Sequence, residues 1–242
     1  MSLTGKVAIV TGASSGYGVG TAEALKKEGC IVWITSNQPK ELKEVADRLK
    51  VKYFEQDITN PKDWDSLVKK VIDEDKRIDI LVNNAGGGVV IKPLIEQTDE
   101  QIRLSIDLNL TGHIYGTKRV AKEMIKQKSG NIISISSVCA QHAWPDWSVY
   151  SAAKAGIEQF GRGMHNELRQ SNVHVTTLMP SWGATNFYGA AALAENRDED
   201  TIKKIMKPSE MGDLIVFVCK LPEHLVMPFI RVQPMVQEIN PM

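Results

Sequence analysis

Seven short, nearly continuous apolar runs, separated by longer amphipathic stretches, limit what this chain can become. They predict strands over 6–10, 31–35, 51–55, 79–82, 131–136, 173–178 and 229–232. Apolar runs without alternation are what a parallel sheet needs when helices cover both of its faces. The expected fold is α/β: a doubly wound parallel sheet of about seven strands with right-handed crossovers. Boundary signals fall between the runs. Asn60-Pro61 reads as a cap followed by proline at the first helical position. Thr98-Asp99-Glu100 opens another helix, with early acidic residues at the positive end of its dipole. No repeat or low-complexity linker interrupts the pattern, so residues 1–242 are expected to form one domain. The stretch 185–207 has weak strand character and a charged end; it fits a lid over a site or an ordinary surface helix pair.

Composition narrows the classes of function. Hydrophobic residues make up 43% of the chain, enough for a sizeable core, and 29 basic residues balance 29 acidic ones. That balance argues against a nucleic-acid partner or a basic membrane-binding face. Cys30, Cys139 and Cys219 lie far apart with no C-x-x-C pairing, which suits a reducing cytosol. The apolar run at the N-terminus is too short to span a membrane and lacks the pattern of a signal peptide. A soluble, cytoplasmic protein is expected. No set of histidines and cysteines has the spacing of a metal site, so no metal is expected.

The first strand runs straight into TGASSGYG, residues 11–18. Glycine permits positive φ and close approach of the backbone to a ligand. The helix that follows offers unpaired N–H groups and a positive dipole end, which together favour a pyrophosphate. A tight turn that merely contains glycine would look similar, but the position after the first strand is the one a dinucleotide site requires. At these residues the sequence resembles the short-chain dehydrogenase/reductase family. The resemblance covers about 4–221 and implies a Rossmann-like NAD(P)-binding fold. It implies that Gly12, Ser14, Ser15, Gly16, Tyr17 and Gly18 contact the cofactor. Asp57 and Ile58 match the family's adenine contact, and Asn84, Ala85 and Gly86 match its N-N-A-G segment beside the cofactor. Read alone, Asp57 is more readily a helix-start or turn aspartate.

Further along stands SSVCAQHAWPDWSVYSAAKAG. A helix starting near Trp147 puts Tyr150 and Lys154 one turn apart on the same face. A nearby ammonium stabilises a phenolate, so the pair is expected to bring the tyrosine's pKa down into a useful range. With five tyrosines in the chain, such a pair arises by chance about 0.4 times. Adding a serine at the position of Ser137 lowers this to roughly 0.03. By resemblance, Tyr150 is the acid/base, Ser137 holds the reacting oxygen, and Lys154 bonds the nicotinamide ribose and tunes Tyr150. Asn109, in DLNLTG, matches the asparagine that interrupts a helix and positions a water in the proton relay. Pro180 and Thr185 match cofactor contacts after the sixth strand, although Pro180-Ser181 stands where the family usually has proline-glycine. The family's D-G-G segment near the C-terminus is replaced by MPFIRVQPMVQEINPM.

At the end of the second strand, Ser36 and Asn37 stand where an acidic residue would repel a 2′-phosphate, which favours NADP(H) over NAD(H). Cys139, His142, Trp144, Trp147, Trp182, Phe187 and Tyr188 gather in sequence around the implied site and predict aromatic walls. Core or interface packing would explain any one of them equally well. The expected activity is hydride transfer between nicotinamide and a ketone, aldehyde or secondary alcohol, with the aromatic walls pointing to an apolar or aryl substrate. An epimerase or dehydratase with no net redox change, and a nucleotide sensor without catalysis, are the competing readings. The resemblance implies a homodimer or homotetramer acting on a small molecule.

Overall fold

The computed structural model describes residues 1–88, 90–142, 144–191 and 197–237, with backbone alone at Tyr188 and Ala190. The first part of the chain gives β1 (Val7–Thr11), α1 (Gly16–Lys27), β2 (Ile31–Ser36), α2 (Pro39–Leu49), β3 (Lys52–Glu55), α3 (Pro61–Asp75) and β4 (Ile80–Asn83). The second gives α4 (Asp99–Ile106), α5 (Gly112–Gln127), β5 (Gly130–Ile135), α6 (Ser148–Leu168), β6 (Val173–Pro180), α7 (Phe187–Ala190), α8 (Glu199–Lys204), α9 (Pro208–Cys219) and β7 (Phe229–Val232).

Among the described residues, seven strands form one sheet in the order β3-β2-β1-β4-β5-β6-β7, and every neighbouring pair is parallel. Register is set at β1, where Val10 pairs with Ile34 on one side and Val82 on the other. Alternate residues of β1 serve opposite faces. Ala8 and Val10 join Leu25, Leu42 and Ile215 in one core. Val7 and Ile9 join Trp64, Leu67 and Met124 in the other. Helices thus cover both faces, as the unbroken apolar runs require.

The helix starts follow from local chemistry. The Asn60 side chain accepts from the Lys62 N–H, with Pro61 at the first helical position. Thr98 and Gln101 form a reciprocal capping box at α4. Each such cap stabilises its helix by about 1 kcal/mol. Strand order reverses between β1 and β4, so the connections leaving their C-terminal ends diverge and open a crevice. Among the described residues, no helix is long and apolar enough to cross a membrane.

Candidate active site

The crevice is built first from β1 and β4. Gly12 takes a φ of +63°, and a Cβ there would stand 2.7 Å from the Ala85 Cα. A side chain at this turn would therefore drive the two strand ends apart. Thr11 locks them together: its hydroxyl accepts from the N–H groups of Asn84 at 3.0 Å and Ala85 at 2.9 Å. The Asn84 amide donates back to the Thr11 carbonyl at 2.8 Å. Asn84 is thus a clamp on the glycine loop. Ser15 caps α1 without a side-chain hydrogen bond, leaving the first-turn N–H groups to a ligand. Gly16 adopts a φ of +53° at that end. Glycines at the turn and an uncapped helix N-terminus fit the pyrophosphate of a dinucleotide.

The neighbouring loops are occupied in ways the sequence did not reveal. The Ser36 hydroxyl shares a hydrogen bond with Ser14 at 2.9 Å and accepts from the Gln38 N–H at 3.1 Å. Ser36 is buried, while Asn37 is exposed. Asp57 is exposed, and its Oδ1 accepts from both the N–H and the hydroxyl of Thr59, so the aspartate does shape its own turn. Ile58 is buried, and its carbonyl accepts from the Trp64 indole at 2.9 Å.

Across the crevice, Gly86 brings the next groups together. A Cβ on it would stand 2.9 Å from Asn109 Oδ1 and 3.3 Å from Lys154 Nζ. Asn109 sits in a π-helical turn, 107–111, between α4 and α5 and is fully buried rather than exposed on a helix surface. Its side chain donates to the carbonyls of Gly87 at 2.9 Å and Ser105 at 3.0 Å, and accepts from the Gly87 N–H at 3.0 Å. One helical turn on, His113 is also fully buried, with Nε2 2.7 Å from the Ala85 carbonyl. Burial, reinforced by the Lys154 charge, pushes its pKa down to about 3. Neutral His113 therefore donates through Nε2 and props the loop that carries Ala85 and Gly86. The Asn109–His113 spacing was the available signal for it.

The two serines after β5 separate cleanly. Ser136 is buried and donates to the Lys154 carbonyl at 3.1 Å. Ser137 accepts from the Cys139 N–H at 3.2 Å, and its hydroxyl lies on the Tyr150 phenol. Lys154, on α6, donates to the Ile135 carbonyl at 2.9 Å, and its Nζ lies 5.7 Å from the centre of the Tyr150 ring. Burial holds the Lys154 pKa down at about 8. The phenol moves the other way from the expectation above. Burial pushes the Tyr150 pKa above its usual range; Cys139 adds to this and only Ser137 opposes it. Desolvation outweighs any help from the lysine because Lys154 faces the ring and a carbonyl.

Tyr150 is covered. The Phe187 ring stacks on Trp147 at 5.9 Å and 8° and meets Tyr150 edge-on at 5.7 Å, while Trp147, beside it, also meets Tyr150 edge-on at 5.7 Å. Cys139 is buried near the same phenol. His142 packs instead on Trp144, and Trp182 lies under the Arg197 guanidinium at 5.2 Å. The Tyr188 side chain and residues 192–196 of the 185–207 stretch lie outside the described residues. Pro180 ends β6, and the Thr185 methyl faces Gly16. Gln237 holds this segment from the far end of the chain, accepting from the Ser181 hydroxyl and from the Trp182 N–H at 3.0 Å. Among the described residues, no cluster of three histidine, cysteine or carboxylate side chains is placed to hold a metal.

A doubly wound sheet with a glycine cradle at its switch point, and a tyrosine, lysine and serine beside it, defines a class that sequence comparison makes specific. The profile of the short chain dehydrogenase family matches residues 6–196. An uncharacterized oxidoreductase of Staphylococcus aureus (strain USA300) is 32% identical over 235 residues, covering 96% of this chain and 98% of the relative. The closed form of a serine dehydrogenase complexed with NADP+ superposes with a TM-score of 0.89 at 25% identity, covering 98% of both chains. A metagenomic short-chain oxidoreductase in complex with NADP gives a TM-score of 0.84 at 26% identity, covering 98% of this chain and all of that one, 100%. The chain belongs to the short-chain dehydrogenase family.

Proposed function

We propose that the chain is an NADP(H)-dependent carbonyl reductase or alcohol dehydrogenase acting on small ketones, aldehydes or secondary alcohols. The observation that carries this reading is that Asn109 and Lys154 meet at Gly86 while the Ser137 hydroxyl lies on the Tyr150 phenol, beyond the C-terminal ends of β4 and β5. A bound nicotinamide supplies the hydride in reduction and takes it up in oxidation. Gly12, Gly16 and the α1 N-terminus hold the pyrophosphate, with Ser14, Ser15 and Gly18 completing the loop. Asp57 and Ile58 face the adenine; Asn84, Ala85, Pro180 and Thr185 line the nicotinamide end. Lys154 reaches the ribose hydroxyls. Ser137 fixes the substrate oxygen, and Tyr150 gives it a proton in reduction or removes one in oxidation. Asn109 anchors the loop at Gly87 and keeps the relay to solvent open at the π turn.

On this reading, Phe187 belongs to a lid formed by 185–207, and its ring fills the space over Tyr150 that substrate takes when the lid moves. Trp147 then gives that space a flat apolar wall, which favours aryl or bulky apolar substituents. Phe187→Ala is expected to lower the KM for small aryl ketones and to lower kcat through poorer closure. An unchanged KM would place substrate elsewhere. The chain works in the cytoplasm on this reading. Exposed Phe217, Leu225 and Met227 give it an apolar surface for self-association as a homodimer or homotetramer.

NADP(H) is supported by the bare end of β2, where no carboxylate stands at Ser36 or Asn37, and by the ligand of both solved relatives named above. Ser36→Asp is expected to move the NADPH-to-NADH preference by about tenfold toward NADH, because a carboxylate there repels the 2′-phosphate. An unmoved ratio means the 2′ position lies elsewhere. The activity itself is tested by mixing the protein with NADPH or NADH and a panel of aryl and aliphatic ketones and following loss of absorbance. Tight binding with no turnover across the panel would favour the sensor reading.

A further inference from the structure

Tyr17 lies in the first turn of α1, between two glycines, and its side chain leaves the cradle toward the 181–185 segment. Its hydroxyl oxygen is fully buried and has no hydrogen-bond partner among the described residues. The ring sits directly on Gly183: a Cβ at that residue would stand 1.9 Å from the Tyr17 oxygen and 2.5 Å from its Cζ. Glycine at 183 is therefore what admits the phenol. On one side, Gly16 faces the Thr185 methyl, with a Cβ-to-methyl separation of 3.3 Å. On the other, Tyr17 lies near enough to Tyr150 that a charge on it would oppose ionisation there. A buried hydroxyl left unpaired costs stability, so this one is placed for a polar group that no described residue provides.

We infer that the Tyr17 hydroxyl donates a hydrogen bond to the carboxamide carbonyl of the nicotinamide, and that Gly183 is small to make room for it. The inference rests on the dinucleotide reading above. Nicotinamide transfers hydride at C4 and carries its carboxamide on the adjacent C3. A ring presenting C4 to substrate at Tyr150 must therefore extend its amide a short distance to one side. Tyr17 stands to that side, against Gly183 and close enough to Tyr150 to act on it electrostatically. Fixing the amide also fixes which face of the ring meets the substrate, so Tyr17 acts on both affinity and the stereochemistry of transfer.

The test separates the nicotinamide from the rest of the cofactor. Wild type and Tyr17→Phe are titrated with NADPH and NADH by fluorescence, and with the nicotinamide-free fragments 2′-phospho-ADP-ribose and ADP-ribose by calorimetry. The variant is expected to bind the better dinucleotide about fivefold more weakly, the loss of one hydrogen bond. The fragments should bind wild type and variant alike. Gly183→Ala displaces the phenol and should weaken the dinucleotide at least as much, again sparing the fragments. Equal weakening of dinucleotide and fragment by Tyr17→Phe, or no weakening of either, overturns the role assigned to Tyr17. Failure of wild type to bind either dinucleotide overturns the cofactor reading itself, a result distinct from the other two.

Discussion

Replacing Tyr150 by phenylalanine lowers kcat by about 10³-fold while dinucleotide affinity stays within about twofold of wild type. The substitution removes one oxygen and keeps the ring. The edge-on contacts to Trp147 and Phe187 depend on that ring, so the wall of the site persists. What is lost is the proton. Burial keeps the phenol protonated in the free protein, so the resting site is loaded for reduction. Oxidation must first draw that proton out, which the positive charge of oxidised nicotinamide assists. Reduction should accordingly be the faster direction near neutral pH. Steady-state kinetics with titration of cofactor fluorescence decides the matter: turnover near wild type in the variant would remove Tyr150 from the chemistry.

Replacing Lys154 by methionine should abolish turnover and yet make the protein more stable at pH 7. Lys154 is almost wholly buried, and burial brings its pKa from 10.5 to about 8. The unfolded chain holds that proton more tightly than the folded one, so keeping the cation inside at pH 7 costs about 3 kcal/mol. Methionine removes this cost and forfeits the charge-assisted hydrogen bond to the Ile135 carbonyl, worth about 2 kcal/mol. The net gain is about 1 kcal/mol, or about 3 °C in Tm. The sign of the pH dependence follows. Between about 8 and 10.5, the unfolded state of wild type binds more protons than the native state, so this group makes wild type more stable as pH rises. The advantage of the variant should shrink over the same window. Reductase activity of wild type should fall above about pH 8, as Lys154 loses the charge that holds the ribose. Thermal melts of both proteins at pH 7 and pH 9.5 provide the check. A methionine variant that melts lower at pH 7 would show that the lysine is held there without strain.

The strands were readable because a parallel sheet buried on both faces must be apolar at consecutive positions, and all seven predicted runs overlap observed strands. Asn60 and Thr98 were readable because a helix cap is a local event. Tyr150, Ser137 and Asn109 were singled out as candidates through ordered motifs. Thr11, His113, Gln237 and the phenol seat at Gly183 escaped because each matters through a partner distant in sequence: Thr11 binds Asn84, and Gln237 binds Trp182. The direction of the Tyr150 pKa escaped for another reason. Spacing on a helix shows that a lysine is near; it does not show how much water remains or what else the ammonium faces. Part of the cover over that ring is Phe187, which arrives from another segment.

The Thr11 clamp also bears on the order in which the molecule is made. Its hydrogen bonds close entirely between β1 and the residues just after β4, and β1 pairs with β4 directly. A chain leaving the ribosome therefore holds every partner in this clamp before Tyr150 has been synthesised. The clamp residues Thr11, Asn84 and Ala85 belong to the first half of the chain, whereas Ser137, Tyr150 and Lys154 belong to the second. A chain arrested between them would carry the clamp's components without that serine, tyrosine and lysine.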